Sequence, residues 1–159
     1  MKQTFLQFFA IVTLVTTSTA GYGQGFNEDK TTLANFIKRM YNSSPFEGVK
    51  IIEDYNAKYI VSLVILEKAK YPNSSTLNRV ANVKARSNAN IFVNGSSITS
   101  DMVIRTTEVK DSAKTSLTTM EETIKENANG FVEGMELLNS FDIDEGSRFV
   151  YIVYRELKK

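Results

Sequence analysis

The sequence contains no histidine, no cysteine and no tryptophan among its 159 residues. Histidine is the commonest general base and the commonest zinc ligand, so its absence removes the usual groups for acid–base catalysis and zinc binding. The lack of cysteine excludes disulfides, thiolate nucleophiles and attachment of a lipid through a cysteine. Export usually raises the expectation of disulfides, so here the hydrophobic core must provide the stability without crosslinks.

Neither sign of charge is in excess, because 19 Lys and Arg residues face 18 Asp and Glu residues. This balance argues against nucleic-acid binding, which needs a basic surface, and against an acidic solvating tail. The length favours one domain with a substantial core, since chains of this size bury roughly 70% of their unfolded surface.

Few catalytic combinations remain in this composition. The serines have neither a histidine nor a Ser-x-x-Lys lysine to activate them. The carboxylates of Glu53/Asp54 and of Glu121/Glu122 are adjacent in sequence. Adjacent side chains point in different directions and do not face each other across a cleft, as glycosidase chemistry requires. We therefore predict that the protein is not an enzyme, has no catalytic residues and uses no cofactor.

An acidic segment at 142–146 raises the question of calcium binding. It reads Asp-Ile-Asp-Glu-Gly and contains three carboxylates. An EF-hand loop needs ligands spread over twelve residues and a closing Glu, whereas Arg148 and a predicted strand follow here. The segment is therefore interpreted as a hairpin turn, and no metal site is predicted.

The N-terminus has the layout of a secretory signal peptide. A positive start at Met1–Gln3 precedes an apolar run over Phe5–Val15 and small residues up to Ala20. An uncleaved anchor helix is the alternative, but the apolar run is shorter than the ~20 residues that span a bilayer. We predict cleavage near Ala20, with Gly23 or Gln24 as alternative ends. The expected organisation is a signal peptide at 1–20, a flexible leader at 21–29 and a single domain at 30–159 of an exported protein, periplasmic or associated with the outer membrane.

Apolar periodicity predicts the elements of this domain. The expected helices are Lys30–Tyr41, capped by Asp29, then Thr76–Val93, capped by Ser74, Ser75 or Thr76, and a third from Asp111 or Ser112 to Asn127. The expected strands are Phe46–Asp54, Tyr59–Glu67, Ile98–Val109 and a hairpin within Gly130–Leu157. In the second helix, an alanine stripe at four-residue spacing lets the helix approach a sheet, and Asn94–Gly95 supplies a left-handed end.

Two strands, Tyr59–Glu67 and Arg148–Leu157, are apolar on both faces, which is typical of central strands covered on both sides. The predicted fold is therefore α+β, with an antiparallel sheet of about five strands, two helices on one face and an additional N-terminal helix. The second face must be covered by that N-terminal helix, by a second subunit or by a partner, and we expect association for this reason.

The last strand also carries the candidate interface residues. Tyr and Arg are favoured at protein interfaces, and the candidates are Arg148, Val150, Tyr151, Tyr154 and Arg155. The alternative interpretation is that both tyrosines are core residues. Because side chains alternate between the two faces of a strand, Tyr151 would then pack in the core with Phe149, and Tyr154 would share a covered face with Val150.

The element order and three local patterns resemble a group of bacterial envelope domains that includes small outer-membrane lipoproteins and the N-terminal domain of the flagellar T-ring assembly protein. The patterns are Gly-Phe-Val-Glu-Gly at 130–134, the apolar run between Arg148 and Arg155, and Ala85, Ala89 and Ile91 before Ile98 and Ser100. The similarity covers roughly residues 48–157. It implies a helix pair on an antiparallel sheet and a structural or interaction role, with no functional residues to transfer. The lipidated cysteine of the lipoproteins is absent here, so lipid anchorage does not carry over.

These observations leave three functions open. The first is a non-enzymatic envelope protein that contacts another envelope protein or a second copy of itself. The second is a periplasmic carrier of a small apolar ligand, held between the two apolar sheet faces. The third, with the least support, is an enzyme that works through carboxylates or tyrosine.

Overall fold

The computed structural model describes residues 28–54, 57–95, 98–106, 122, 124 and 130–157. The main elements of these residues are α1 (Glu28–Ser43), β1 (Gly48–Glu53), β2 (Lys58–Glu67), α2 (Ser74–Gly95), β3 (Val103–Arg105), β4 (Glu136–Ile143) and β5 (Arg148–Leu157). The α+β class is thereby confirmed. The predicted signal peptide, its cleavage near Ala20 and residues 21–27 of the predicted leader lie outside the described residues.

The five strands form one sheet in the order β3-β1-β2-β5-β4. The pairs β1–β2, β2–β5 and β5–β4 are antiparallel, whereas β3 runs parallel to β1. The sheet is therefore mixed, and the prediction of a purely antiparallel sheet is wrong at this edge. Because β2 and α2 intervene between β1 and β3, no hairpin constrains the direction of β3.

The third strand is much shorter than the predicted Ile98–Val109. Pairing with β1 covers only Val103–Arg105, and a 3-10 turn at Ser100–Met102 precedes it. The Lys50 ammonium donates to the Asp101 carbonyl at 2.6 Å and holds this turn against β1. Residues 107–109 of the predicted strand lie outside the described part of the chain.

One face of the sheet packs against α2 through the predicted alanine stripe. Ala81, Ala85 and Ala89 are completely buried. Their small side chains bring the helix so close that the buried Ser62 hydroxyl of β2 donates to the Ala85 carbonyl at 2.7 Å. Ile124 has helical backbone and belongs to the same core cluster, whereas the other residues of the predicted 111–127 helix, except helical Glu122, lie outside the described residues.

The opposite face packs against α1. Leu33, Ile37 and Tyr41 form its buried stripe at helical spacing. They share a core cluster with apolar residues of β1, β2, β4 and β5, of which the buried members are Ile52, Val61, Leu63, Leu138, Val150 and Ile152. The N-terminal helix therefore covers the second apolar face within the same chain.

The ends of both helices differ from the prediction. The backbone of α1 is already helical at Glu28, so Asp29 lies inside the helix instead of capping it. At the start of α2, the Asn73 side chain accepts from the Thr76 amide at 2.8 Å, and Asn73 is the cap instead of residues 74–76. At its end, Gly95 is still helical and does not adopt the left-handed conformation.

The predicted terminal hairpin is formed by β4 and β5, while residues 130–134 form a turn before it. Ile143 pairs with Arg148, which leaves a four-residue loop. Within this loop, Asp144 and Glu145 have φ of 50° and 55°, and Gly146 has φ of 87°. Two consecutive non-glycine residues in the left-handed region carry strain of about 1 kcal/mol or more each.

Replacing Glu145 by glycine is expected to raise the free energy of unfolding by about 0.5 kcal/mol. Glycine relieves the left-handed strain but costs more conformational entropy on folding, so the net gain is small. Ser147 is the matched control, because it has an ordinary helical φ of −76° and its hydroxyl donates to the Asp144 carbonyl. Ser147→Gly should therefore lower the stability, and urea denaturation that gives both changes the same sign would contradict the strain argument.

Candidate functional site: a groove beside α1

The position of α1 on the sheet is set by contacts with β4 and β5. The Lys30 ammonium lies 3.5 Å from the Glu136 carboxylate and 5.5 Å from the centre of the Tyr154 ring. Further along the helix, the Phe141 ring is contacted by the Lys38 ammonium at 5.4 Å and by the Tyr41 ring edge-to-face at 5.7 Å. These contacts hold α1 over the β4 side of the sheet.

The helix α1 is narrower than the sheet face on which it lies. Five strands at their usual spacing span about 19 Å, whereas a helix with its side chains is about 10–12 Å wide. With α1 over β4 and β5, a groove of about 220 Å³ remains between the helix and the β1–β3 edge. It is lined by Thr32, Leu33, Phe36 and Arg39 of α1 and by Ile52, Asp54, Tyr59 and Thr106 of the sheet side. We refer to these eight residues as the α1 groove.

Apolar side chains form the middle of the α1 groove and polar groups lie towards its ends. Leu33, Phe36 and Ile52 supply the apolar surface. At one end, the Thr106 hydroxyl donates to the Asp54 carboxylate at 2.5 Å, and the backbones of Asp54 and Ala57 exchange hydrogen bonds. Arg39 lies seven residues after Thr32, which is about 10 Å along the helix axis.

Arg39 has no carboxylate partner among the described residues, although the described ion pairs involve many of the other cations. Its side chain is exposed, and its backbone carbonyl accepts a hydrogen bond from the Ser43 hydroxyl at 3.1 Å. The α1 groove thus combines an apolar floor with a guanidinium that has no carboxylate partner in the described part of the chain.

A second, wider cleft of about 390 Å³ lies at the C-terminal end of α1. Its lining includes Tyr41, Phe46 and Glu47 and the ion-paired Asp144 and Arg148 of the β4–β5 turn. The Glu47 carboxylate is engaged, since it accepts from the Ile65 amide at 3.2 Å. The polar groups of this cleft are therefore largely paired with one another or with the backbone.

The five candidate interface residues do not form one surface. Val150 is completely buried under α1, and Tyr151 is 7% exposed on the α2 face. Arg148 is exposed but bound to Asp144. Tyr154 is half-buried on the α1 face.

Arg155, the last of the five, binds the turn that precedes β4. Its guanidinium donates to the carbonyls of Gly130 and Phe131 and lies 4.8 Å from the centre of the Phe131 ring. A Cβ at Gly134 would come within 2.7 Å of this guanidinium, so a larger residue there would displace the Arg155 side chain from its present position. Arg155 therefore has a packing role in this structure.

The adjacent carboxylates considered for catalysis also have separate partners. Glu53 forms ion pairs with Lys58 at 3.1 Å and with Arg105 at 3.0 Å, whereas Asp54 binds Thr106. Glu122 is exposed, and Glu121 lies outside the described residues. Within the described ranges, no group of three acidic residues is arranged to hold a metal ion.

Neither Tyr151 nor Tyr154 is activated for proton transfer. Burial raises the pKa of Tyr151, although nearby Arg86 lowers it in part. Burial also raises the pKa of Tyr154, together with the charges of Glu136 and Glu156. A tyrosine base or nucleophile needs a lowered pKa, so these hydroxyls act as neutral packing groups at neutral pH.

Sequence reasoning missed the α1 groove altogether. Phe36 and Arg39 are spaced by three residues on one side of α1, which is the only local signal that they share a surface. That they line the same groove as Asp54 and Thr106 depends on where the helix lies on the sheet, which no local pattern specifies.

Comparison with protein-family models, with curated proteins and with solved structures found no match to this chain. Neither α1 nor α2, the two long helices of the described part, combines the length and apolar character of a membrane span.

Proposed function

We propose that this chain is a non-enzymatic exported envelope protein that acts by binding another envelope protein or a second copy of itself. The N-terminal pattern of a signal peptide supports export, and a composition without histidine or cysteine supports a role other than catalysis. The pairing of Glu53, Asp54 and Asp144 with neighbouring side chains agrees with this interpretation.

The sequence predicted association because the second apolar face of the sheet needed a cover. In the structure α1 covers that face, so support for association must come from another surface. The observation that carries the proposal is the outer side of α2, where Val83 and Ile91 are 61% and 64% exposed. They lie about two turns apart with the exposed Ser87 between them, and two large apolar residues on one exposed helix side favour contact with a protein.

The test is a double substitution, Val83→Ser with Ile91→Ser, in the full chain. Light scattering should show self-association of the unmodified protein, or crosslinking in its native envelope should capture a specific partner. The double variant is expected to lose either contact while keeping its circular dichroism spectrum. Asn90→Ser is the matched control, since it changes another exposed residue of α2 and should leave binding intact.

A monomeric protein without a crosslinked partner would contradict the proposal. If the double variant binds as well as the unmodified protein, the outer side of α2 is not the contact surface.

A second candidate function, carriage of a small ligand, is supported by the α1 groove and is independent of the α2 surface.

A further inference from the structure

We propose that the α1 groove binds a small, free monocarboxylate with a medium-length apolar chain, whose carboxylate lies on Arg39. This site is on the opposite face of the sheet from Val83 and Ile91 and does not depend on the protein contact proposed above. Three properties of the groove select this ligand class: its size, its apolar floor and the position of its cation.

The size of the groove favours a single short chain. A cavity of about 150 Å³ is enough for benzene, with six heavy atoms. The α1 groove of about 220 Å³ therefore accommodates roughly eight or nine heavy atoms by the same measure. A two-chain membrane lipid is several times larger, so a free molecule fits better than a bilayer component.

The floor of the groove is suited to an alkyl chain. Ile52 is completely buried beneath it, and Leu33 is 6% exposed. Phe36 adds a half-buried ring along the helix side. A chain lying in the groove would remove the exposed part of the Phe36 ring and its own apolar surface from water, which is the main source of affinity in small-molecule sites.

The charges of the groove give the ligand a direction. A carboxylate placed near Asp54 would be repelled by that carboxylate, which already accepts a hydrogen bond from Thr106. A carboxylate at the other end meets the Arg39 guanidinium, whose planar group of donors matches two carboxylate oxygens. The apolar chain then extends from Arg39 across Phe36 and Leu33 towards Thr32.

Octanoate and 1-octanol are suitable probes, because they share an eight-carbon chain that fits the volume of the groove and differ in the group presented to Arg39, a carboxylate in one and a neutral hydroxyl in the other. Both would be titrated into the purified full chain while backbone amide shifts are followed by nuclear magnetic resonance. We expect octanoate to bind more tightly and to shift the amides of groove residues such as Thr32 and Thr106. Arg39→Gln should weaken octanoate roughly fivefold, as expected for an exposed ion pair, and leave 1-octanol within about twofold.

Two further variants separate the site from general effects. Arg79 is also an exposed arginine but belongs to α2, so Arg79→Gln should change neither affinity. Thr32 is exposed on α1 and lines the groove, so the ring introduced by Thr32→Phe would occupy part of it. This variant should therefore bind both octanoate and 1-octanol more weakly. Equal loss of octanoate binding in Arg39→Gln and Arg79→Gln, shifts confined to other regions, or no octanoate binding to the unmodified protein would each overturn the proposal.

Discussion

Replacing Arg86 by methionine is expected to lower the free energy of unfolding by about 3 kcal/mol. This guanidinium donates to the carbonyls of Val132 at 2.7 Å, Glu133 at 3.1 Å and Met135 at 2.6 Å, and its Nε donates to the Asn82 side chain at 3.0 Å. Hydrogen bonds from a charged donor contribute roughly 1.5–3 kcal/mol, and a buried carbonyl left without a partner adds a desolvation cost.

The consequence is not confined to the hydrogen bonds. The turn at 130–135 places Phe131 and Met135, which are 3% and 2% exposed, into the core beneath α2. Without Arg86, Arg155 is the one side chain of the described residues that still binds carbonyls of this turn, beside the backbone hydrogen bond from the Met135 amide to the Val132 carbonyl. We therefore expect the turn to loosen and the apolar side chains that it carries to become more accessible.

Thermal denaturation followed by circular dichroism would measure this effect, and a Tm lower by about 10 °C is expected for a domain of this size. Arg86→Lys should recover little, since an ammonium cannot hold three carbonyls and an amide oxygen in the same plane. Arg79→Met is the control, because Arg79 is exposed on the same helix. A similar Tm for the Arg79 and Arg86 variants would show that the carbonyl contacts contribute little.

Replacing Ala85 by leucine is expected to destabilise the protein by about 3 kcal/mol. Ala85 is completely buried where α2 crosses β2, and its carbonyl accepts from the buried Ser62 hydroxyl. Three additional carbon atoms have no space there, so α2 must move outward or the side chain must adopt a strained rotamer. Outward movement would also lengthen the hydrogen bond from Ser62 and leave two buried polar groups without partners.

Ser87→Leu is the matched control for size and helix propensity. Ser87 lies two residues away on the exposed side of the same helix, where substitutions usually change the stability by less than about 0.5 kcal/mol. Urea denaturation of both variants should separate them by at least 2 kcal/mol. If the two variants unfold at the same urea concentration, the alanine stripe does not set the distance between helix and sheet.

Much of the secondary structure follows from local patterns. The alternation of Val61 and Leu63 with Ile60 and Val64 predicted a strand covered on both faces, and each set is buried in a different cluster. The alanines at four-residue spacing predicted the helix face that meets the sheet. These predictions succeed because side-chain direction depends only on the period of the helix or strand.

Predictions of element ends and of strand direction were less accurate. Asn73, Ser74, Ser75 and Thr76 all have side chains that can cap a helix, so local sequence cannot choose among them. The extent of β3 is set by the three residues that reach β1, not by the apolar character of 98–109. Its parallel direction results from the path of the chain through β2 and α2.

The sequence by itself determined the element types, the two apolar faces of β2 and β5, and the absence of histidine and cysteine chemistry. Only the tertiary structure decided that α1 covers the second face and that it lies towards β4, held by contacts such as Lys30 with Glu136, which are 106 residues apart. That lateral position leaves the α1 groove open and places Arg39 and Asp54 along the same groove. Contacts between residues so distant in sequence depend on how whole elements pack, so no periodicity within a segment encodes them.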